Sequence, residues 1–239
     1  CKHKSVLGSS YTQKGRSGFR GKGSCLLHRK GEKQMQPLEL YIHIPFCVKK
    51  CAYCDFLSGP AGEKEKEEYV KMLVDEIRNC PDTVQNYRVI SIFFGGGTPS
   101  LLTGEQIGRL MDTVREIFTL DEDAEITMEM NPGTVTEEKL RKYRQAGVNR
   151  LSIGLQSVND EELRLLGRIH TYEEFREAYH LARANGFSNI NVDLISAIPG
   201  QTVESWRRTL EQVMALSPEH ISAYSLILEE GTTFYKKYV

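Results

Sequence analysis

Strand-like and helix-like segments alternate along most of this chain, and that alternation constrains the fold more than any other feature of the sequence. From Pro37 onward, short runs rich in β-branched and aromatic residues alternate with longer runs rich in Glu, Lys, Arg, Leu and Ala, at a period of about thirty residues. The predicted strands are 38–44, 88–94, 124–130, 149–155, 189–195 and 220–227. The predicted helices are 63–79, 104–118, 136–146, two pieces within 159–185, and 202–216.

This α/β order predicts a parallel sheet covered by helices. Six right-handed units would curl into an open, partial (β/α)6 barrel related to the TIM barrel. A flat, doubly wound sheet is the alternative, and the spacing alone does not decide between them. Local signals support the helix ends, because Thr103 and Thr136 are good N-caps and Gly147 and Gly186 follow helical runs.

Three predicted strands carry polar residues on one face and apolar residues on the other. The polar faces within 124–131, 150–156 and 189–194 hold Glu125, Thr127, Glu129, Asn131, Arg150, Ser152, Gly154, Gln156, Asn189, Asn191 and Asp193. Helices pack on the apolar face, so the polar face is expected to line the barrel interior. Since burying an unpartnered polar group costs roughly 1–3 kcal/mol, we expect the interior to bind a polar ligand. Strand 88–94 is apolar on both faces, which predicts an asymmetric lining.

Three cysteines follow the first predicted strand with the spacing Cys47-x3-Cys51-x2-Cys54. Active sites of (β/α) barrels lie at the carboxyl ends of the strands, where this loop begins. Three close thiolates suit an iron–sulfur cluster with one iron left open for a ligand. Zinc, with His43 or His28 as a fourth ligand, and a redox pair of Cys51 and Cys54 are the alternatives. The scattered cysteines are expected to be free thiols: Cys1, Cys25 and Cys80.

Composition and charge limit the other classes of function. The 239 residues carry a net charge of −1 and a pI near 6.7, which argues against nucleic-acid and membrane-surface binding. No apolar run suits a transmembrane segment or a secretory signal, so a cytoplasmic location is expected. Residues 1–36 are basic and rich in Gly and Ser, which predicts a disordered tail, or alternatively an arm for nucleic acid or anionic lipid. Residues 37–239 are expected to form one core domain.

Five ordered motifs carry a family resemblance. The cysteine loop with Tyr53 before its last cysteine resembles the cluster loop of radical S-adenosylmethionine (radical SAM) enzymes. The stretch 40–233 is similar to the branch of that family that contains oxygen-independent coproporphyrinogen III oxidases and heme chaperones, through "YIHIPFC", "FFGGGTPS", "EMNPGTV", "RLSIGLQS" and "NVDLISAIPGQT". Members continue beyond the sixth strand, so the resemblance implies a chain truncated before the family's C-terminal region.

The resemblance implies a 4Fe-4S cluster on Cys47, Cys51 and Cys54, and S-adenosylmethionine as a second cofactor. In this family the amino and carboxylate groups of S-adenosylmethionine chelate the fourth iron, and the reduced cluster cleaves the sulfonium to give a 5′-deoxyadenosyl radical. The cofactor-binding residues implied are Tyr41, Tyr53, Gly97, Thr98, Pro99, Glu129, Gln156, Arg168, Asp193 and Ile227.

Phe56 separates the two activities of this branch. The similar oxidases carry a further cysteine two residues after the third, whereas this sequence reads "CAYCDF". The resemblance therefore implies a heme chaperone, with heme or porphyrin as ligand and with heme-accepting proteins and an electron donor as partners. Anaerobic coproporphyrinogen oxidation and a structural zinc domain are the alternative functions.

Overall fold

The computed structural model describes residues 35–239, which form an α/β domain around a single parallel sheet. The strands are β1 (Gln36–Ile44), β2 (Tyr87–Gly96), β3 (Thr119–Met130), β4 (Arg150–Gln156), β5 (Asn189–Ser196) and β6 (His220–Ser225). The helices are α1 (Glu63–Arg78), α2 (Gly104–Ile117), α3 (Glu137–Ala146), α4 (Asp160–Leu166), α5 (Tyr172–Ala184), α6 (Val203–Ala215) and α7 (Thr233–Tyr238). The tail predicted for residues 1–36, with Cys1, Cys25 and His28, lies almost wholly outside the described residues.

The six strands lie side by side in chain order, from β1 to β6, and every neighbouring pair is parallel. A doubly wound sheet reverses its strand order at a switch point, so the sequential order excludes that alternative. The sheet curls into a half-barrel with helices on its outer face, which confirms the predicted (β/α)6 architecture.

The apolar faces of the strands pack outward against the helices and form the main core. Ile126, Met128, Ile153 and Val192 are all almost completely buried there, together with Leu110 of α2. Each such side chain contributes about 1.5–3 kcal/mol to stability relative to an exposed position. Since the outer faces take the apolar residues, the alternating polar residues of β3, β4 and β5 face the concave interior, as predicted.

The helix termini follow the predicted signals. The Thr103 hydroxyl accepts a hydrogen bond from the Gln106 N–H, and the Gln106 side-chain oxygen accepts one from the Thr103 N–H. The Thr136 hydroxyl caps α3 by accepting a hydrogen bond from the Lys139 N–H. Gly147 ends α3 with φ of 106°, a conformation that a side chain would oppose.

Some boundaries differ from the predictions. β3 begins at Thr119, before the predicted 124, while β6 ends at Ser225, before the predicted 227. α7 was not predicted, because one and a half turns are too short to show a helical period. In β2 the pairing with β1 shifts at Ile90, so Val89 is buried while Ile90 is 36% exposed. Among residues 35–239, no helix is long and apolar enough to cross a bilayer.

Candidate functional site

A cavity of about 420 Å³ opens at the carboxyl ends of the strands. Its size falls within the range of about 300–1,000 Å³ that is usual for small-molecule sites. One wall is the loop after β1 that carries the three cysteines (residues 45–62, the cysteine loop), and another is the turn "GGGTPS" at the end of β2 (residues 95–100, the glycine turn). Strands β3 to β6 supply the floor and the far side. The lining contains the three predicted cluster ligands, Cys47, Cys51 and Cys54.

Eight of the ten predicted cofactor contacts also line this cavity, although the sequence spreads them over 175 positions from the first to the last. They are Tyr53, Gly97, Thr98, Glu129, Gln156, Arg168, Asp193 and Ile227. Ile227 is 67% exposed and stands at the rim. The structure therefore brings together residues that only the strand order of the fold could place side by side.

The structure does not place Tyr41 and Pro99 in the cavity lining. Tyr41 lies on the concave face of β1, stacks on Phe93 and has its hydroxyl 3.2 Å from His43 Nδ1. Partial burial, and the Glu129 carboxylate nearby, raise the pKa of Tyr41. Pro99 is buried at the start of a 3-10 turn, where it shapes the backbone of the glycine turn. A direct cofactor contact remains a prediction for both residues.

Backbone hydrogen bonds anchor the cysteine loop to the domain. The Cys47 N–H donates to the Gly59 carbonyl at 2.9 Å, and the Ala52 N–H donates to the Leu166 carbonyl at the end of α4, also at 2.9 Å. The Ala52 carbonyl accepts from the N–H of Phe234 in α7. The three thiols are thus held on a loop that is fixed at both ends and in the middle.

The glycine turn after β2 approaches the cysteine loop very closely. The Gly97 N–H donates to the Ile44 carbonyl at 2.8 Å, and the Thr98 N–H donates to the Phe46 carbonyl at 2.6 Å. A Cβ atom at position 97 would lie 2.6 Å from the Phe46 carbonyl oxygen, which is too close for any side chain. Glycine is therefore required for the two loops to meet.

Two carboxylates face the cavity from the strands. Burial raises the pKa of Glu129 to about 7, although the Gly96 N–H donates to this carboxylate at 3.0 Å. Burial also raises the pKa of Asp193, whose two oxygens accept from the Ser152 hydroxyl and the Asn191 amide, each at 2.8 Å. Two acidic groups of this kind suit the ammonium and hydroxyl groups of a ligand.

Arg168 joins β4 to the cysteine loop. Its Nη2 donates to the Gly154 carbonyl at 2.6 Å, and its Nη1 lies 3.8 Å from Cys51 Sγ. Gln156, at the end of β4, has φ of 75°, which is strained for a residue with a side chain and typical of functional sites. Burial raises the pKa of the Tyr53 hydroxyl, which lies beside the same guanidinium.

The residues present fit an iron–sulfur cluster better than zinc. The three thiols line one wall of the cavity, and the buried Nε of Arg168 has no hydrogen-bond partner among the described residues, as expected where a ligand completes the site. His43, nominated for zinc, contacts Tyr41 and the Leu57 carbonyl through its ring nitrogens instead.

Several lining residues were not predicted as site residues. Asn131 continues the inward face of β3, so its position followed from the alternation, but its amide gave no signal of a role. The others come from β4, from β6 and the segment after it, and from the cysteine loop: Ser152, Tyr224, Leu226, Glu229, Lys49 and Lys50. Only the curl of the sheet brings the segment after β6 opposite the cysteine loop.

Comparison with known proteins places this site in a family. The family model described as "Radical SAM superfamily" matches residues 41–213. The heme chaperone HemW of Escherichia coli is 46% identical over 202 residues, which are 84% of this chain and 53% of the relative. The mitochondrial radical S-adenosyl methionine domain-containing protein 1 of Danio rerio is 37% identical, with 83% of this chain and 45% of the relative covered. The chain thus spans about half the length of the curated relatives it matches.

The solved structures agree with the sequence relatives. The coproporphyrinogen III oxidase HemN of Escherichia coli superimposes with a TM-score of 0.75 and 37% identity. The superposition covers 81% of this chain and 45% of the oxidase. Streptococcus suis SuiB bound to S-adenosylmethionine, at 17% identity and a TM-score of 0.57, shares the fold. The family model covers well over half of the chain and includes the end of β1, the cysteine loop, the glycine turn and β2 to β5. The chain therefore belongs to the radical SAM superfamily.

Proposed function

We propose that this chain is the cofactor-binding portion of a heme chaperone, a protein that binds heme and delivers it to acceptor proteins. The observation that carries the proposal is the loop "CVKKCAYCDF", residues 47–56, which supplies three thiols to the cavity wall and then Phe56, 60% exposed at its edge. The relatives named heme chaperone HemW, at 36–46% identity, support the same assignment.

Cys47, Cys51 and Cys54 would hold the 4Fe-4S cluster that membership of the superfamily implies. Bound there and reduced, such a cluster would supply one-electron chemistry to S-adenosylmethionine in the cavity. Burial raises the pKa of the Cys54 thiol, whereas the Phe56 N–H beside it favours the thiolate. The two effects oppose each other, so ligation to iron would compensate the cost of a buried negative sulfur.

The remaining lining residues would bind S-adenosylmethionine. Gly97 and Thr98 would meet its methionine end, Glu129 would accept from its ammonium group, and Asp193 would accept from a hydroxyl. Tyr53 and the backbone at Ile227 would flank the adenine, while Gln156 and Arg168 would close the pocket beside β4. Since these groups project from β3 to β5 and from the loops after β1, β2, β4 and β6, the rigid sheet would orient the ligand before any chemistry takes place.

Oxygen-independent coproporphyrinogen III oxidation is the second candidate function. The superposition on the oxidase of Escherichia coli favours it, since the two folds agree with a TM-score of 0.75. The absence of a fourth cysteine at Phe56 argues against the oxidase activity. The chain spans about half the length of its curated relatives, so the comparison does not cover substrate contacts made by the other half of those proteins.

The test is anaerobic reconstitution of the chain with iron and sulfide, followed by electron paramagnetic resonance of the reduced protein with and without S-adenosylmethionine. We expect a cluster signal that shifts when S-adenosylmethionine is added, and loss of that signal in Cys54→Ser with its retention in Cys80→Ser. The reconstituted protein is then expected to bind heme and to leave coproporphyrinogen III unchanged. A single anaerobic turnover of coproporphyrinogen III would establish the oxidase instead.

A further inference from the structure

A continuous series of hydrogen bonds connects two of the three thiols across the cavity. Arg168 Nη2 lies 2.7 Å from Asn131 Oδ1, Asn131 Nδ2 lies 2.8 Å from Thr98 Oγ1, and Thr98 Oγ1 lies 3.7 Å from Cys47 Sγ. At the other end, Arg168 Nη1 lies 3.8 Å from Cys51 Sγ. Asn131 is thus the central link between the two cysteines.

The chemistry of the groups fixes the direction in which each hydrogen is donated. A guanidinium has only donors, so the amide atom that faces Arg168 must be the acceptor Oδ1. The Nδ2 of Asn131 therefore faces Thr98 and donates to its hydroxyl oxygen. The hydroxyl proton of Thr98 is then free to point at Cys47 Sγ. Every bond in the series donates away from the positive charge, an arrangement in which each bond strengthens the next.

The fold holds Asn131 in place for this role. Its backbone N–H donates to the Ser100 hydroxyl at 3.2 Å, and its carbonyl accepts from the Thr134 hydroxyl at 2.6 Å. Thr98 is almost completely buried, and its side chain has little freedom to turn away. The amide therefore links two structural elements, the glycine turn after β2 and the loop after α4.

We infer that Asn131 is a positioning residue for the cluster, which orients the Thr98 hydroxyl towards Cys47 and fixes the Arg168 guanidinium beside Cys51. This inference rests on the proposed function, since it concerns thiolates that ligate a cluster. Hydrogen bonds to the ligating sulfurs are among the features that set the reduction potential of such clusters. Donation to Cys47 favours the more negative, reduced state, so its loss would lower the potential.

The test compares Thr98→Val in two backgrounds of the full 239-residue chain, the wild type and Asn131→Asp. A carboxylate at position 131 keeps an acceptor for Arg168, cannot donate to Thr98 and attracts the Thr98 proton away from Cys47. Each protein is loaded with iron and sulfide, and the midpoint potential of its cluster is measured by paramagnetic resonance at fixed potentials. Two variants are the controls. Thr98→Ser keeps the hydroxyl, and Thr113→Val removes a buried hydroxyl of α2 that donates to the Arg109 carbonyl.

In the wild-type background, we expect Thr98→Val to shift the one-electron equilibrium about tenfold towards the oxidised cluster, which is about 59 mV. In the Asn131→Asp background, the same substitution is expected to change nothing further. Thr98→Ser and Thr113→Val should keep the wild-type potential. If Asn131→Asp fails to fold, judged by its melting transition, Asn131→Leu replaces it, with the same expectation.

Equal shifts in the two backgrounds, or no shift in the wild type, would overturn the inference while leaving the proposed function intact. A wild-type chain that takes up no cluster would overturn the proposed function and the inference together. The two failures are therefore distinguished by the iron and sulfide content of the wild-type protein, measured before any potential.

Discussion

His170 offers a sharp test of the burial around the Arg168 loop. The side chain is 5% exposed, and neither ring nitrogen has a hydrogen-bond partner among the described residues. Burial, and then the positive charge of Arg168, lower the pKa of His170 from 6.5 to about 3. The imidazole is therefore neutral in the folded protein at every pH at which the protein is normally handled.

The sign and size of the effect follow from linkage. The unfolded chain binds a proton at His170 below about pH 6.5, whereas the folded chain resists it down to about pH 3, so acid favours unfolding. At pH 5 the pH lies about 1.5 units below the pKa of the unfolded chain, so His170 lowers the unfolding free energy by about 2 kcal/mol at roughly 1.36 kcal/mol per unit. At pH 7 the same group contributes about 0.2 kcal/mol by the same relation. The expected loss of stability from pH 7 to pH 5 is about 2 kcal/mol.

The assay is urea unfolding of the wild type and His170→Leu at pH 7 and pH 5, followed by circular dichroism with the thiols kept reduced. The decrease in unfolding free energy between the two pH values should be about 2 kcal/mol smaller in His170→Leu. Glu129 and Asp193 have raised pKa values and act in the opposite direction, but they are common to both proteins and cancel. The control, His180→Leu, alters an exposed histidine of α5 and should behave like the wild type. Equal pH dependence of wild type and His170→Leu would refute the reasoning.

Three further predictions concern the cavity and its support. A cationic ligand such as S-adenosylmethionine should bind up to about tenfold more tightly at pH 8 than at pH 6, because the pKa of about 7 leaves Glu129 largely protonated at pH 6. Calorimetry should show an affinity that does not change with pH in Glu129→Gln. Gly97→Ala should prevent cluster uptake, measured as bound iron and sulfide, because its Cβ would lie 2.6 Å from the Phe46 carbonyl oxygen. Tyr143→Phe should lower the unfolding free energy by about 1–3 kcal/mol, since the buried hydroxyl lies within hydrogen-bond distance of the Ser100 and Leu102 carbonyls, 2.6 Å from the latter. An unchanged urea midpoint would contradict this prediction.

The sequence predicted the architecture because its signals are local and repeated. Period-two alternation, helical composition and the caps at Thr103, Thr136 and Gly147 each report on a few neighbouring residues, and six repeats average out the errors at their ends. The bulge at Ile90 and the short helix α7 escaped prediction for the same reason. A bulge leaves no period, and six residues are fewer than two helical turns.

The sequence predicted which residues would meet at the candidate site, but not the hydrogen bonds that connect them. The spacing of Cys47, Cys51 and Cys54 indicates metal–sulfur ligation without any knowledge of the fold. The link from Arg168 to Asn131 to Thr98, in contrast, joins three separate elements and depends on distances below 3 Å that no local pattern contains. Tyr41 shows that a residue on the concave face of a strand need not line the cavity wall.

The depth of the polar residues within the half-barrel distinguishes those that need a ligand from those that do not. Near the amino ends of the strands, Arg150 lies 2.9 Å from His220 Nδ1, 3.3 Å from the Thr127 hydroxyl and 3.7 Å from a Glu125 carboxylate oxygen. These groups satisfy one another, so this layer can be polar without a bound molecule. One level higher, Glu129 carries a raised pKa and Arg168 an unpartnered Nε, so the polar groups there are incompletely satisfied. Both layers show the same alternation in sequence. The partners in the structure, and not the polarity, are therefore the reason why we expect a ligand in the upper layer, beside the three thiols.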